Sequence, residues 1–419
     1  MSWRVLLLLA WLGIGLWAQT NQFAPSVWAT GKLPSLAPGS GAATSAGAGN
    51  LLRLSWDQGV ALDDYSGEGG GRPDVDWQLG PRVDWWAGGA RWQWNLSYAP
   101  WWWRFAHEPG RNLFNQILNV GAGWAFSWQD WLRGRLSWLR RDGGEASGGA
   151  MALGWGTAGS QISESLQGGR LEWMHAVSPY AWWQLYLAAG NRRYDFLSWK
   201  QALPVRNRSR EEGWQFSRRL TARWNWLARV FLRQQQEPGS SQLHLLGGWS
   251  ELSWQPAAGW RLAGFAGPER AQLAENPGGR AMRWLCASGA SLEYRRRWQW
   301  EARLTQQESS AAGLLAVPGL SRAAALRLGR DAGRNWRWSW QAAVADIRGL
   351  NLASPRERFF SAWSGPQIER RLRRGLWLRL QAARLWQRHR GGRRLGLSRE
   401  HSRLAIGLHY QLPNWGWEQ

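Results

Sequence analysis

Residues Arg91 to Tyr98 read Arg-Trp-Gln-Trp-Asn-Leu-Ser-Tyr, with polar and apolar residues in strict alternation and tryptophan taking most of the apolar places. Period-two alternation marks a β-strand with one polar and one apolar face. The pattern returns along most of the chain, which carries 39 Trp in 419 residues. Trp joins a large apolar ring to a polar N–H and favours the boundary between hydrocarbon and water. The stretch therefore points to strands standing in a bilayer.

Composition narrows the classes. Hydrophobic residues make up 44%, yet the mean hydropathy is −0.48. A helical membrane protein needs runs of about 20 apolar residues, and only the extreme N-terminus approaches one. There, Met1 to Arg4 is a short positive start, Val5 to Trp17 an apolar run, and Ala18 a small residue before the expected cut. Such a segment reads as a secretory signal peptide over 1–18, with an alternative cut after Ala29 and an uncleaved anchor as the competing reading. The lone cysteine, Cys286, makes no intrachain disulfide and no Cys-based zinc site, and no Cys near the cut could carry lipid.

The formal charge is +23, and lysine occurs only at Lys32 and Lys200, so the basic residues are nearly all arginine. A pI near 11.5 invites a nucleic-acid reading. The export signal and the scatter of arginine through the alternating segments argue against it.

Residues 19–50 are read as a flexible periplasmic N-terminal segment, because Gly31 to Asn50 is rich in Gly, Ala, Ser and Pro. Alternation then runs from Leu51 to Leu412 without a composition break, and 413–419 is left as a tail. Connections alternate in length. Short ones include Ala87 to Ala90, Gln129-Asp130, Ser178-Pro179, Gln255 to Gly259 and Asp331 to Arg334. Long ones include Asp63 to Asp74, Arg141 to Ser163, Asp195 to Ser209, Pro268 to Ala281 and Glu308 to Pro318. The expectation is an all-β chain: a single antiparallel up-and-down transmembrane β-barrel of about 18 strands (16–18). A soluble sandwich or a propeller would also alternate. The first rarely runs to so many similar hairpins, and the second should show a blade motif that is missing here.

Parity assigns the faces. Trp92, Trp94, Trp336 and Trp338 fall on apolar faces and are expected to anchor the barrel at the membrane interface. An arginine facing lipid at mid-depth costs about 2–4 kcal/mol, so Arg91, Arg229, Arg303, Arg337, Arg379 and Arg403 are expected to point inward. Gln93, Asn95 and Gln341 join them as pore-lining candidates. Other arginines are left for rims, where they can meet surface-lipid phosphates. His175 shares the apolar face of Leu171, Trp173 and Val177 and is read as a rim histidine or a register error. The cluster Trp101 to Trp103 is expected to anchor at the interface rather than stack on sugars.

On these features the chain resembles bacterial outer-membrane β-barrel proteins with a porin-like layout. Its last strand carries part of their assembly signal, with Gly407, Tyr410 and Leu412 at the Gly and two final positions. Ala405 stands where a polar residue is usual, and Leu412 replaces an aromatic. The resemblance implies the outer membrane of a Gram-negative-type bacterium, with lipid bilayer, lipopolysaccharide and the outer-membrane assembly machinery as partners. It also implies termini in the periplasm and long loops outside.

No catalytic pattern emerges: there is no Gly-x-Ser-x-Gly, no His-Glu-x-x-His and no phosphate-binding Gly-Lys-Ser/Thr loop. Asp74-Val-Asp76 is at most a weak calcium candidate. The expectation is no enzyme, no cofactor and no metal. The leading function is a passive channel preferring small anionic solutes through an Arg-lined lumen. The alternative, from another class, is a non-conducting surface or scaffold barrel whose long loops bind partners or polysaccharide. The competing reading of the inward arginines is that they pair with acids such as Glu301 and merely fill the wall.

Overall fold

The computed structural model describes residues 49–66, 73–107, 112–142, 162–196, 205–236, 242–275, 279–309, 319–333, 335–349, 358–390, 399–412 and 415–418. The expected signal peptide, nearly all of the segment after it and most of the long connections lie outside the described residues.

Eighteen long strands run from β1 (Gly49–Ser66) and β2 (Asp74–Gly88) to β17 (Leu376–Arg390) and β18 (Arg399–Gln411). Each pairs antiparallel with its neighbours in sequence. β1 also pairs with β18, from Ser55↔Gln411 to Ser66↔Glu400, which closes the barrel. The chain is thus a closed 18-stranded up-and-down β-barrel. Strands about 4.8 Å apart and tilted about 40° close a round ring of backbone about 35 Å across.

Strand limits follow the turn chemistry. β9 (Trp224–Gln236), β13 (Trp298–Ser309) and β15 (Trp336–Gly349) each begin at the Trp that follows a short turn. Among the described residues three turns use glycine with positive φ, Gly259 (88°), Gly333 (76°) and Gly375 (78°), a conformation that costs side-chain-bearing residues energy. The turn before β5 (Asp130–Asp142) is held by Ser127, whose Oγ donates to Asp130 Oδ2 at 3.0 Å and accepts from the Asp130 N–H at 3.0 Å.

Three expectations are corrected. Pro268 to Ala281 is mostly strand: β11 (Trp260–Glu275) runs through Pro268, which sits opposite Cys286 of β12 (Gly279–Arg295). β8 (Val205–Arg219) starts inside the expected long loop Asp195 to Ser209. The tail after Leu412 includes a short strand, β19 (Trp415–Glu418), which extends the pairing along β1 from Leu52↔Trp415 to Gly49↔Glu418.

The outer face is apolar and open: Trp284 (67%), Leu136 (65%) and Leu404 (57%) are exposed there. Outer aromatics meet across strands, as in Trp224 stacked on Trp254 (5.4 Å) and Trp56 against Tyr410 (4.6 Å). No helix among the described residues is long and apolar enough to cross a membrane.

Candidate lumen wall

Strand register carries the inward face around the barrel. Asp76 lies opposite Ala61 and Phe105, Gln93 opposite Gly123, and Arg229 opposite Gln215 and Trp249. In β3 (Trp92–Phe105) the inward set is Gln93, Asn95, Ser97, Ala99, Trp101, Trp103 and Phe105. Asn95 and Gln93 lean over Gly121 and Gly123 of β4 (Leu113–Ala125), where an added Cβ would meet them. Arg91 lies in the turn before β3 and is exposed. Gln341 of β15 is inward beside Arg327 and Gly365. Trp92, Trp94, Trp336 and Trp338 lie on the outer face near the short turns.

The other five predicted arginines share that inner wall, and each has an acid partner. Arg229 of β9 pairs with Glu211 of β8, to which Arg233 Nε also donates at 2.7 Å. Tyr186 of β7 (Ala181–Phe196) donates its O–H to Glu211 Oε1 at 3.0 Å and accepts from Arg229 Nε at 2.8 Å. Arg303 meets Glu301 at 2.5 Å and Glu293 at 3.6 Å. Arg337 meets Asp331 at 3.0 Å and Glu369 at 3.6 Å. Arg379 binds Glu369 at 2.9 Å and Asp57 at 3.2 Å. Arg403 grips both oxygens of Asp76, at 2.7 and 2.8 Å, with its guanidinium 4.5 Å from the Trp103 ring.

Arginine exceeds acid in some of these clusters. Two arginines serve Glu211. Around Glu172 of β6 (Ile162–Ser178), Arg170 binds at 2.5 Å and Arg133 at 3.9 Å, and Arg135 stands directly opposite Arg170.

The inner wall also holds aromatics packed on glycine. Trp101 covers Gly80, where an added Cβ would lie 1.9 Å from its ring, and Phe231 covers Gly247 in the same way at 2.5 Å. The expectation for Trp101 to Trp103 is corrected: Trp102 alone faces outward, whereas Trp103 is 1% exposed inside the wall. Counting by two from Gln93 would have found this. Glu211, which beside Glu212 reads in the sequence as solvated rim charge at a strand start, is instead 5% exposed inside the wall, and Tyr186 and Arg233 were not singled out, because the connection between β7 and β8 breaks parity counting.

The remaining candidates are placed as follows. Asp74 and Asp76 face inward and are engaged by cationic or polar partners, Asp74 Oδ1 lying 2.9 Å from His107 Nδ1. Among the described residues no group of three or more His, Cys, Asp or Glu could hold a metal. His175 is outward at the rim, its Nδ1 2.8 Å from Asp130. Gly407 lies opposite Gly59 at the closure, where a Cβ would meet the Gln58 carbonyl at 2.7 Å. Tyr410 is outward, and the Leu412 N–H donates to the Leu54 carbonyl at 3.0 Å.

The layout is that of a porin-like β-barrel. No protein-family model matches the chain, and neither does any curated protein. Among solved structures it is similar to the FrpB iron transporter from Neisseria meningitidis, at 8% identity and a TM-score of 0.46, covering 86% of this chain and 81% of that one. It is also similar to Pseudomonas aeruginosa OpdO, at 12% identity and a TM-score of 0.46, covering 87% and 97%. A third is Pseudomonas aeruginosa OccK2 (OpdF) in complex with glucuronate, at 13% identity and a TM-score of 0.47, covering 86% and 98%.

Proposed function

We propose that the chain is an outer-membrane β-barrel that acts as a passive channel with a preference for small anions. The apolar outer face supports bilayer insertion, since residues such as Leu404 and Ile406 have no place in water as a continuous belt. A ring of 18 strands is wide enough for an aqueous bore. The carrying observation for selectivity is the excess of arginine over acid at Glu211 and Glu172, because inward arginine favours anions. Arg229, Arg303, Arg337, Arg379 and Arg403, with Gln93, Asn95 and Gln341, line this pore. Arg91 stands at its short-turn mouth.

The same reading supplies the partners. Gly407, Tyr410 and Leu412 serve the assembly machinery, the outer Trp residues anchor in the bilayer, and the termini lie in the periplasm. Planar-bilayer recording on the purified protein tests the channel. Stepwise conductance with a reversal potential displaced toward chloride is expected; clear cation selectivity overturns the anion preference.

One observation favours a second reading. Each of the five inward arginines has an acid partner, so their charges also serve to build the wall. A silent bilayer would move the protein to a scaffold barrel that works through its loops.

A further inference from the structure

Where β1 meets β18, the inner wall is hollow. Gly59 and Gly407 stand directly opposite each other, and Ala61 and Ala405 form the next pair on the same face. Side chains this small leave the backbone of the seam bare toward the lumen. A Cβ on either glycine would lie 2.8 or 2.7 Å from a backbone carbonyl, so the floor is not easily filled. The strands on both sides carry larger groups. Gln78 of β2 lies opposite Gly59, and Arg379 and Gln381 of β17 lie opposite Gly407 and Ala405. Trp101 of β3, its ring laid over Gly80, closes a third side. The recess they enclose measures about 550 Å³, within the range of small-molecule sites, about 300–1,000 Å³.

The polar groups around it differ in what they have left to offer. Arg403 and Asp76 are spent on each other, with side chains 4% and 0% exposed. Asp57 and Arg379 also meet, at 3.2 Å, but keep 27% and 30% of their side chains open. Gln78 donates to Asp76 Oδ1 at 2.9 Å, which fixes its amide and leaves the amide oxygen to accept. Gln381 is half-buried and has no side-chain partner among the described residues.

Charge excludes one class of occupant. Arg379 and Arg403 are met by three carboxylates, Asp57, Glu369 and Asp76, so the recess has no surplus positive charge for an anion. Glu211, with two arginines on one carboxylate, is the opposite case. An anionic oxygen can only accept, and here it would face Asp57. A hydroxyl both donates and accepts. It can donate to Asp57 and Gln78 and accept from Arg379 and Gln381. The half-buried Trp101 ring adds an apolar surface for the C–H side of a small ring.

We propose that this recess is a subsite for a neutral saccharide, seating one pyranose ring with its C–H face on Trp101 and its hydroxyls on Asp57, Gln78, Arg379 and Gln381. The inference rests on the channel reading for the solute's route into the lumen, and it adds a second solute class beside small anions. It also gives the inward Trp101 a role in place of the interface anchoring expected from the sequence.

The test titrates methyl β-D-glucopyranoside against the full barrel in detergent micelles, followed by saturation-transfer NMR on the sugar. Wild type should bind saturably. Trp101→Leu should weaken binding at least about fivefold, and Gln381→Ala about threefold, the loss of one neutral hydrogen bond. Gln381→Ala breaks no contact within the wall and so covers the case of a misfolded Trp101 variant. Gln299→Ala, on the inner face of β13 and outside the recess, should match wild type. Glucuronate, which carries a carboxylate in place of the hydroxymethyl group, should bind no more tightly than the glucoside.

Binding that does not saturate, or that is unchanged in Trp101→Leu and Gln381→Ala, overturns the proposal. Equal weakening by Gln299→Ala does so as well, and glucuronate binding about tenfold tighter would make the recess an anion site instead. Conductance recorded on the same samples keeps the two readings apart. A conducting barrel without saturable sugar binding overturns this inference alone. A silent barrel that binds the glucoside through Trp101 and Gln381 overturns the channel alone.

Discussion

Two ion networks stiffen the same inner wall, and they do so at very different separations along the chain. Glu211, Arg229, Arg233 and Tyr186 belong to three consecutive strands, so this network assembles as soon as β7, β8 and β9 pair. Asp76 and Arg403 are 327 residues apart and meet only when β18 closes on β1, with Arg379 reaching Asp57 across the same seam. The difference teaches a division of labour. The first network sets two arginines on one carboxylate, whereas the Asp76–Arg403 pair is one to one and nearly dry, and it latches the closure.

The latch gives the largest expected effect. Arg403→Ala leaves Asp76 charged, 0% exposed at its side chain and without its main partner. Breaking such a pair from one side costs about 3–5 kcal/mol. Urea unfolding in detergent micelles should show that loss, together with a heat-shifted gel mobility typical of an open form. A loss under about 1 kcal/mol would mean the seam is latched elsewhere.

Gly407 tests the same seam sterically. Gly407→Ala places a Cβ 2.7 Å from the Gln58 carbonyl and 3.5 Å from Gly59 Cα. Overpacking of that kind costs about 1–3 kcal/mol, again read by urea unfolding. Gly134, where nothing lies within 4 Å, is the internal control. Gly134→Ala should match wild type, and equal losses at both positions would remove the special status of the seam.

Glu211→Gln probes the other network. It removes the negative charge between Arg229 and Arg233 but keeps an oxygen for their N–H groups. Its effect on stability should be smaller, about 1–3 kcal/mol. Its effect on conduction should be larger, with a reversal potential moved further toward chloride. An unchanged reversal potential would place this cluster away from the ion path.

The two faces were legible in the sequence to different depths. The outer face follows from parity within a strand, which is why Trp92, Trp336 and the Leu404 to Tyr410 series lie where alternation puts them. Inner residues on the same strand were equally readable, as Trp101 and Trp103 show by standing in step with Gln93 and Asn95. Partnership across strands was not readable. Which acid an inward arginine meets depends on register, and long connections such as 197–204 reset the count before Glu211. The Asp76–Arg403 contact depends in addition on the strand number at which the ring closes. The extension of β11 past Pro268 was hidden by a residue that usually marks a break.

The smallest effect should come from the outer face. Trp336 is 46% exposed, and its recorded ring contact is with the Arg370 guanidinium at 5.2 Å. A half-exposed cation–π contact is worth about 0.5–1 kcal/mol, so Trp336→Ala should lose no more than that by urea unfolding and should leave conductance unchanged. The reason is redundancy. Trp298 and Trp300 of β13 and Trp338 of β15 itself lie at the same rim, and Trp298 packs against Trp338 at 6.3 Å without it. Anchoring is shared among rings that do not depend on one another, whereas Asp76 and Glu211 each hold buried arginine charge that has no equivalent substitute. A loss at Trp336 as large as that at Arg403 would show the outer belt to be coupled in the same way, and the contrast between the two faces would fail.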